Sequence, residues 1–563
     1  MANFFFEITV IICFAAVLSI IFRIFKQPEI LAYILTGILI GPLGLFKISD
    51  QASLSAMSQL GITLLLFMVG LEIKISDLLS LGKTLVIAAV GQILLTFSAA
   101  FLISQFFGFN QLESIYVSIG LTFSSTIIIV KILSDKRDLH SLYAKISLAI
   151  LLAQDLLAIL ALMFLSGVNI QTGGLGSILD FAIIGLKAIV LFEAVIFLSS
   201  NVFPKIVELI AKSSETLFLV SIAWVFGLAA LVSSPLIGFS IEIGGFLAGL
   251  SLANSMANYQ IIAKAKILRD FFIVIFFVLL GMQMSFANIS ESLIPALILS
   301  VFVLLVKPLL VMIMLGLLGY RKRTSFLTGL SLSQISEFSL ILVFLGLKLG
   351  HVSNYVVSVI TITGIVTFTV STYLISNGNR LYLYLGKKLD FLEIKTTKRD
   401  EPVISDGFEN LKNHVVVIGG DQMGQSIVDA LDDLDLDVVV IDFDPEIVKK
   451  LETRKRVHRL FGDISDLDIQ ERAQIDNAKL VISTVPDIED NLLLLKELRH
   501  ENRRAKVVVM ALDTRDAKQL YKAHADYVIL PHLAGGMHIA KVLVQEDWEK
   551  IERLKEKDLE YLK

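Results

Sequence analysis

Between Phe4 and Ser376 the sequence is a succession of apolar runs, such as ITVIICFAAVLSIIF and FVLLVKPLLVMIM, separated by short polar segments. A helix needs about 17 to 25 apolar residues to cross the hydrocarbon of a bilayer. Inside that hydrocarbon the backbone must satisfy its own hydrogen bonds, which leaves helices for runs of this length. Taken this way, the region holds about thirteen spans, centred near Phe14, Leu39, Leu65, Leu95, Thr122, Leu152, Ile189, Val225, Phe246, Phe276, Leu305, Leu340 and Ile365. The whole chain is 55% hydrophobic, yet its last third has an ordinary soluble composition. The expectation is an all-α polytopic membrane domain followed by a separate soluble domain.

An odd number of spans puts the termini on opposite sides. Lysine and arginine concentrate in cytoplasmic loops, and alternate connections carry Arg23 and Lys26, Lys74 and Lys83, Lys131 with Lys136 and Arg137, Lys205 and Lys212, Lys264 with Lys266 and Arg269, and Arg321 to Arg323. The opposite set offers Lys47 and Lys348. The N-terminus is therefore expected outside a plasma or inner membrane and the soluble domain in the cytoplasm. The first run lacks a basic leader and a small-residue cleavage site, so it reads as a retained span. A net charge of −4 without a basic cluster excludes nucleic acid as an expected partner. The single cysteine, Cys13, allows neither a disulfide within the chain nor a thiolate metal site.

After Ser376 the pattern changes. NRLYLYLGKKLDFLEI mixes aromatic and basic residues in the manner of a surface-lying helix, and KTTKRDEPVISDG reads as a linker. HVVVIGG, DVVVIDFD, KLVISTV, KVVVMAL and DYVIL then alternate with helix-length stretches, the mark of a parallel sheet. The expected domains are a transmembrane domain at 1–376, an amphipathic and charged linker at 377–412, a Rossmann-like α/β domain at 413–532 and a charged helical tail at 533–563.

Asp155, Lys187, Glu193, Glu242, Lys307 and Glu337 lie within apolar runs. An ionisable group in hydrocarbon must pair, neutralise or face water, so each is a functional candidate. Asp155 in LLAQDLLAI and Lys307 in FVLLVKPLLVMIM sit near mid-span and are natural counter-charges; a fixed salt bridge orienting two helices is the alternative. A carboxylate there can hold a proton or a metal cation but not both strongly, and that competition is the chemistry of exchange. Glu337 follows Ser333, Gln334 and Ser336, and a similar polar cluster spans Thr122, Ser124, Ser125 and Thr126. Such clusters suit helices that break at mid-membrane, where freed backbone groups hold ions; hydroxyls bonding back to their own helix are the alternative. Lys187 and Glu193 suit a structural pairing, and Glu242 suits an entry funnel or a structural position.

In the soluble part, HVVVI leads into GGDQMGQSIVDAL, a glycine turn opening a helix. Gly419, Gly420, Asp421, Gln422, Met423 and Gly424 would place backbone N–H groups at a phosphate, with Asp442 and Phe443 ending the second strand near a ribose. Asp421 stands where the fingerprint has its second glycine. Asp463 and Thr484 follow the third and fourth strands at the ligand-binding edge of such folds. The competing reading is a nucleotide fold that has lost its ligand.

Taken in order, LAYILTGILIGPLGL, LGITLLLFMVGLEI, the Ser124–Thr126 triplet, LLAQDLLAI, GGFLAGLSLANS, FFVLLGMQM and SQISEFSLIL resemble the monovalent cation:proton antiporter-2 family, particularly Kef-type potassium/proton antiporters. The soluble part is similar to the N-terminal half of an RCK domain. The resemblance implies a thirteen-span homodimer with inverted repeats and crossing discontinuous helices, a core domain moving against a dimerisation domain, and Asp155 as the ion-binding carboxylate. It also implies roles for Gln154, Ser124, Ser125, Thr126, Lys307, Gln334 and Glu337 around that carboxylate. The Gln154–Asp155 pair resembles the potassium-type pair, so the expected partners are K⁺ or Na⁺, and H⁺, with AMP or NAD(H) as the regulatory nucleotide. Met510 and Leu512 stand where glutathione-gated members carry arginines, so glutathione control is not expected. A ligand-gated channel lacks its filter sequence here, and a membrane-tethered NAD enzyme lacks a substrate domain, so no enzymatic activity is expected.

Overall fold

A computed structural model describes the chain except residues 1, 47, 49, 73–82, 137, 139–140, 168–177, 204–206, 208–212, 235–236, 256, 285–288, 319, 321, 386–410, 433, 435, 443–446, 448–450, 452–455, 463, 465–466, 502–503 and 545–563. Phe443, Asp463 and the charged tail from 545 onward therefore lie outside the described residues, as does most of the linker. The chain divides into two compact units, one holding nearly all residues to Ile394 and the other Lys395–Lys563.

The first unit is helical: α1 (Ala2–Ile24), α2 (Glu29–Ile40), α3 (Gln51–Glu72), α4 (Lys83–Phe106), α5 (Gln111–Thr122), α6 (Thr126–Lys136), α7 (Leu142–Gly167), α8 (Ile178–Asn201) and α9 (Ser214–Val232). It continues with α10 (Ile241–Leu252), α11 (Asn258–Met282), α12 (Ile289–Val301), a π-turn at Phe302–Val306, α13 (Lys307–Leu317), α14 (Lys322–Ser331), α15 (Glu337–Lys348), α16 (Asn354–Ser376) and α17 (Gly378–Leu385). All thirteen expected centres fall on these helices or the π-turn. By length and composition, 8 helical segments among the described residues can cross a membrane. Lys264, Lys266 and Arg269 lie in the first half of α11 and not in a loop. Long basic stems let a helix carry such charges while their heads reach polar surroundings.

The helices pack in two groups. In one, α3 lies against α10 and α11, α2 against α11, and α9 against α10. These backbones approach so closely that a Cβ on Gly249 would strike the Phe67 carbonyl oxygen, and one on Gly281 that of Ile34. Close backbone approach is how membrane helices gain contact, since lipid removes the hydrophobic drive between them. In the other group, α4 packs on α5 and α13, α13 on α14, α12 on α16, and α15 on both α5 and α16. Here the interior is rich in hydroxyls and amides: Ser114, Ser118, Thr122, Ser124, Ser125, Gln154, Ser333, Gln334 and Ser371 are buried.

The second unit is a six-stranded parallel sheet: β1 (Val415–Ile418), α18 (Gln422–Asp432), β2 (Val438–Asp442), β3 (Val457–Phe461), α19 (Leu467–Arg472), β4 (Leu480–Ser483), α20 (Ile488–Glu501), β5 (Lys506–Met510), α21 (Thr514–Lys522), β6 (Tyr527–Ile529) and α22 (Pro531–Val544). Strand order is β3-β2-β1-β4-β5-β6. Val416, Ile418, Val439 and Ile441 enter one apolar core, and Val415, Val417, Val438 and Val440 the other. That period of two on a sheet buried on both sides explains why the strands read as continuous valine and isoleucine runs. The strand order reverses between β1 and β4, so the edge beyond their carboxyl ends is a crevice.

Candidate functional site

Two interrupted helices make the centre of the membrane unit. α5 stops at Thr122, Phe123 is extended (φ −77°, ψ 150°), and α6 starts at Thr126. α14 stops at Ser331 and α15 starts at Glu337 after the extended Ser336. Each interruption frees backbone groups that need partners. Serine supplies some of them: Ser125 Oγ accepts from Ile128 N–H at 3.2 Å, and Ser336 Oγ accepts from Phe338 N–H at 3.1 Å. Both serines thus cap the helices that follow.

The breaks are also stitched to each other. Ser124 Oγ donates to the Leu332 carbonyl at 3.0 Å, Gln334 Nε2 to the Ser125 carbonyl at 3.3 Å, and Ser339 Oγ to the Gly120 carbonyl at 2.6 Å. Ser371 Oγ on α16 donates to Gln334 Oε1 at 2.6 Å. Hydroxyl and amide enrichment in both stretches therefore reflects bonds between two broken helices, beyond hydroxyls bonding back to their own turns.

Lys307 closes the arrangement. Its Nζ donates to the carbonyls of Leu121 at 3.0 Å, Phe123 at 3.1 Å and Gln334 at 3.0 Å. An ammonium has three N–H groups, and all three are engaged by carbonyls at the two breaks. The residue is 0% exposed and begins α13 directly after the π-turn, its own N–H reaching the Phe302 carbonyl. Pro308 has no N–H to continue the ladder, a local cause for a bulge at this point. The expected pairing of Lys307 with Asp155 is not what the structure shows: the lysine compensates the negative ends of interrupted helices.

Asp155, on α7, instead meets α6. Its Oδ2 accepts from Thr126 Oγ1 at 2.8 Å, while its Oδ1 is buried with no hydrogen-bond partner among the described residues. Glu337 Oε1 accepts from Ser125 Oγ at 2.6 Å. Adjacent residues in the first break thus hold two carboxylates, each against the positive N-terminal end of a half-helix. Beside Asp155, Gln154 Oε1 accepts from Ser124 N–H at 2.9 Å. The other intramembrane charges lie apart: Lys187 donates to the Ile237 carbonyl at 3.1 Å, Glu193 is exposed, and Glu242 is buried in the first turn of α10.

In the second unit Gly419 has φ +88°, a backbone conformation that favours glycine, and a Cβ there would lie 2.5 Å from Thr484 Oγ1. A Cβ on Gly424 would strike the Gly419 carbonyl oxygen. Thr484 Oγ1 donates to the carbonyls of Ile418 and Gly419, and Asp442 Oδ2 accepts from Gly420 N–H at 2.7 Å. The tight turn, the acid ending β2 and the threonine beyond β4 converge at the switch point, a cradle that fits the ribose side of a nucleotide. Asp421 Oδ1, at the second glycine position, accepts from Gln422 N–H at 2.8 Å and so occupies a donor at the helix start where a phosphate would sit.

A family model described as sodium/hydrogen exchanger, transmembrane, matches residues 10–376. The chain belongs to this exchanger family. The exchanger is thus a multi-pass membrane protein of the cation/proton antiporters, and a second model, the TrkA-N domain, matches its residues 415–531. It is similar to the putative cation/proton antiporter YbaL of Escherichia coli (strain K12), 24% identical over 94% of this chain and 95% of that one. It is 29% identical to K(+) efflux antiporter 5 of Arabidopsis thaliana over 60% of each chain. The glutathione-regulated potassium-efflux system protein KefC of Salmonella typhi is 24% identical over 86% of this chain and 76% of that one.

Residues beyond those expected complete the exchanger's centre. Gln92 Oε1 on α4 accepts from Gln154 Nε2 at 2.7 Å, and Ser339 and Ser371 tie α15 and α16 to the breaks. Buried amides in apolar helices were the available signal for Gln92.

Proposed function

We propose that this exchanger moves a monovalent cation, potassium by preference, outward against protons moving inward, with Asp155 as the carboxylate that carries either. The observation that carries this reading is the buried Asp155 Oδ1, which has no hydrogen-bond partner among the described residues and lies beside the first break. With Lys307 fully engaged by carbonyls, no fixed cation competes at Asp155 through that lysine. Thr126 holds one carboxylate oxygen, which leaves the other for a proton or a cation. The names of two relatives support potassium over sodium. One exchanging carboxylate gives electroneutral, one-for-one transport and no covalent chemistry, so the chain acts as a transporter and not as an enzyme.

In the same reading the chain crosses the membrane thirteen times as a homodimer in the plasma or inner membrane, its N-terminus outside and its TrkA-N unit in the cytoplasm. AMP or NAD(H) in the Gly419–Gly424 cradle would set transport by binding two arrangements unequally. The test is proton flux in liposomes after adding potassium, sodium or lithium. Potassium-driven flux in the native chain, lost in Asp155→Asn, is the expected result. Equal flux in both chains would remove Asp155 from the mechanism.

A further inference from the structure

The Gln154 amide is engaged at both ends. Oε1 accepts from Ser124 N–H at 2.9 Å and Nε2 donates to Gln92 Oε1 at 2.7 Å. Gln92 is 1% exposed, and its own Nε2 donates to Thr96 Oγ1 at 3.0 Å. Exchanging oxygen and nitrogen in either amide would ordinarily be a matter of choice. Here a backbone group decides it. Ser124 N–H can only donate, so Gln154 must present oxygen to it; Nε2 then faces α4, and residue 92 must present an acceptor.

We propose that Gln92 is a positioning residue for exchange at Asp155. By accepting from Gln154 Nε2 it keeps Gln154 Oε1 on Ser124 N–H, and so fixes the first break in the shape that delivers Thr126 Oγ1 to Asp155. The inference rests on the reading of Asp155 as the exchanging carboxylate. It also gives Gln154 a role other than a side-chain ligand of the cation: the amide sets the break, and the adjacent Asp155 meets the ion. Without an acceptor at position 92, the Gln154 Nε2 hydrogens are left buried and unmatched, and the amide is anchored at one end, Ser124 N–H, in place of two. An amide held at one end fixes Ser124 N–H less firmly, two residues from Thr126. The site is loosened for the cation, whereas the helices that carry it keep their packing.

The experiment compares the native full-length chain with Gln92→Glu, Gln92→Leu and Thr96→Val in liposomes, reading proton flux against potassium concentration. Glutamate retains an acceptor for Gln154, so its KM should stay within about threefold of native; leucine removes the acceptor and should raise KM about tenfold with a maximal rate near native, the effect of one lost hydrogen bond. Thr96→Val, which spares the Gln154–Gln92 bond, should follow glutamate. Equal KM for leucine and glutamate, or a leucine variant that loses maximal rate at unchanged KM, would overturn the proposal. Should the native chain show no potassium-driven flux, the Asp155 reading fails first. Hydrogen exchange at 123–126 then decides the role of Gln92: faster exchange in leucine but not in glutamate supports it, and unchanged exchange in both overturns it. The same comparison serves if Gln92→Leu reconstitutes poorly.

Discussion

Replacing Lys307 by methionine keeps most of the stem volume and removes all three donors. The structure then leaves the carbonyls of Leu121, Phe123 and Gln334 without the bonds now made at 3.0, 3.1 and 3.0 Å. An unmatched buried polar group costs roughly 1 to 3 kcal/mol, so three give about 3 to 9 kcal/mol. Relief from burying an ammonium returns part of this, and the net loss should fall near the lower end, about 3 kcal/mol. At 1.4 kcal/mol per factor of ten, that is about a hundredfold in the opening equilibrium of the crossing. Hydrogen exchange of the full-length protein reads this locally. Peptides covering 121–126 and 332–336 should lose about a hundredfold in protection in Lys307→Met, while α3 and α10, joined through Gly249, keep theirs. Asp155→Asn should leave the same peptides within a few fold of native, because Asp155 makes one hydrogen bond there and none with Lys307. Native protection in Lys307→Met, or a matching loss in Asp155→Asn, would refute the reasoning and return Lys307 to the role of counter-charge.

Three further outcomes follow from the geometry. Thr126→Val removes the 2.8 Å bond to Asp155 Oδ2 and should raise the KM for the cation about tenfold in liposome flux, whereas Thr126→Ser should restore it. Gly424→Ala places a Cβ against the Gly419 carbonyl and should abolish nucleotide binding measured by calorimetry, with basal exchange retained. His414 is buried, with Nε2 bonded to the Ala473 carbonyl at 2.9 Å. Burial pushes its pKa down, against the opposing pull of that carbonyl. The unfolded chain therefore takes up the proton first, near the ordinary value of about 6.5. The stability His414 contributes is present above that value and is lost as pH falls below it; hydrogen exchange of β1 should quicken from pH 7 to 5.5, and less so in His414→Gln.

Much of the molecule was legible in the sequence because burial in lipid and in a parallel sheet both demand long apolar runs. The two breaks were visible as polar clusters in α5/α6 and α14/α15, since mid-membrane backbone groups need hydroxyls or amides nearby. Asp155 announced itself by the energy of placing a carboxylate among leucines. The partners of Lys307 were not legible: backbone carbonyls carry no residue identity, so charge complementarity pointed to Asp155 instead. Gln92 escaped notice for a related reason. Its importance comes from one bond to Gln154, 62 positions along the chain, and periodicity says nothing of such pairs. In the second unit β3, VHRLF, was the weakest strand signal, because an edge strand tolerates His458 and Arg459 among its apolar residues. Asp421 departs from the fingerprint at the second glycine position, and its bond to Gln422 N–H gives that departure a geometry.

The central claim is that one carboxylate holds a proton or a cation in turn. Its most direct test needs no gradient: potassium is added to the solubilised full-length protein in weak buffer, and released protons are counted against bound cation. The account predicts about one proton released per cation in the native chain and none in Asp155→Asn, with Lys307→Met retaining release where it still folds. Cation binding with no proton release in the native chain, or undiminished release in Asp155→Asn, would contradict it.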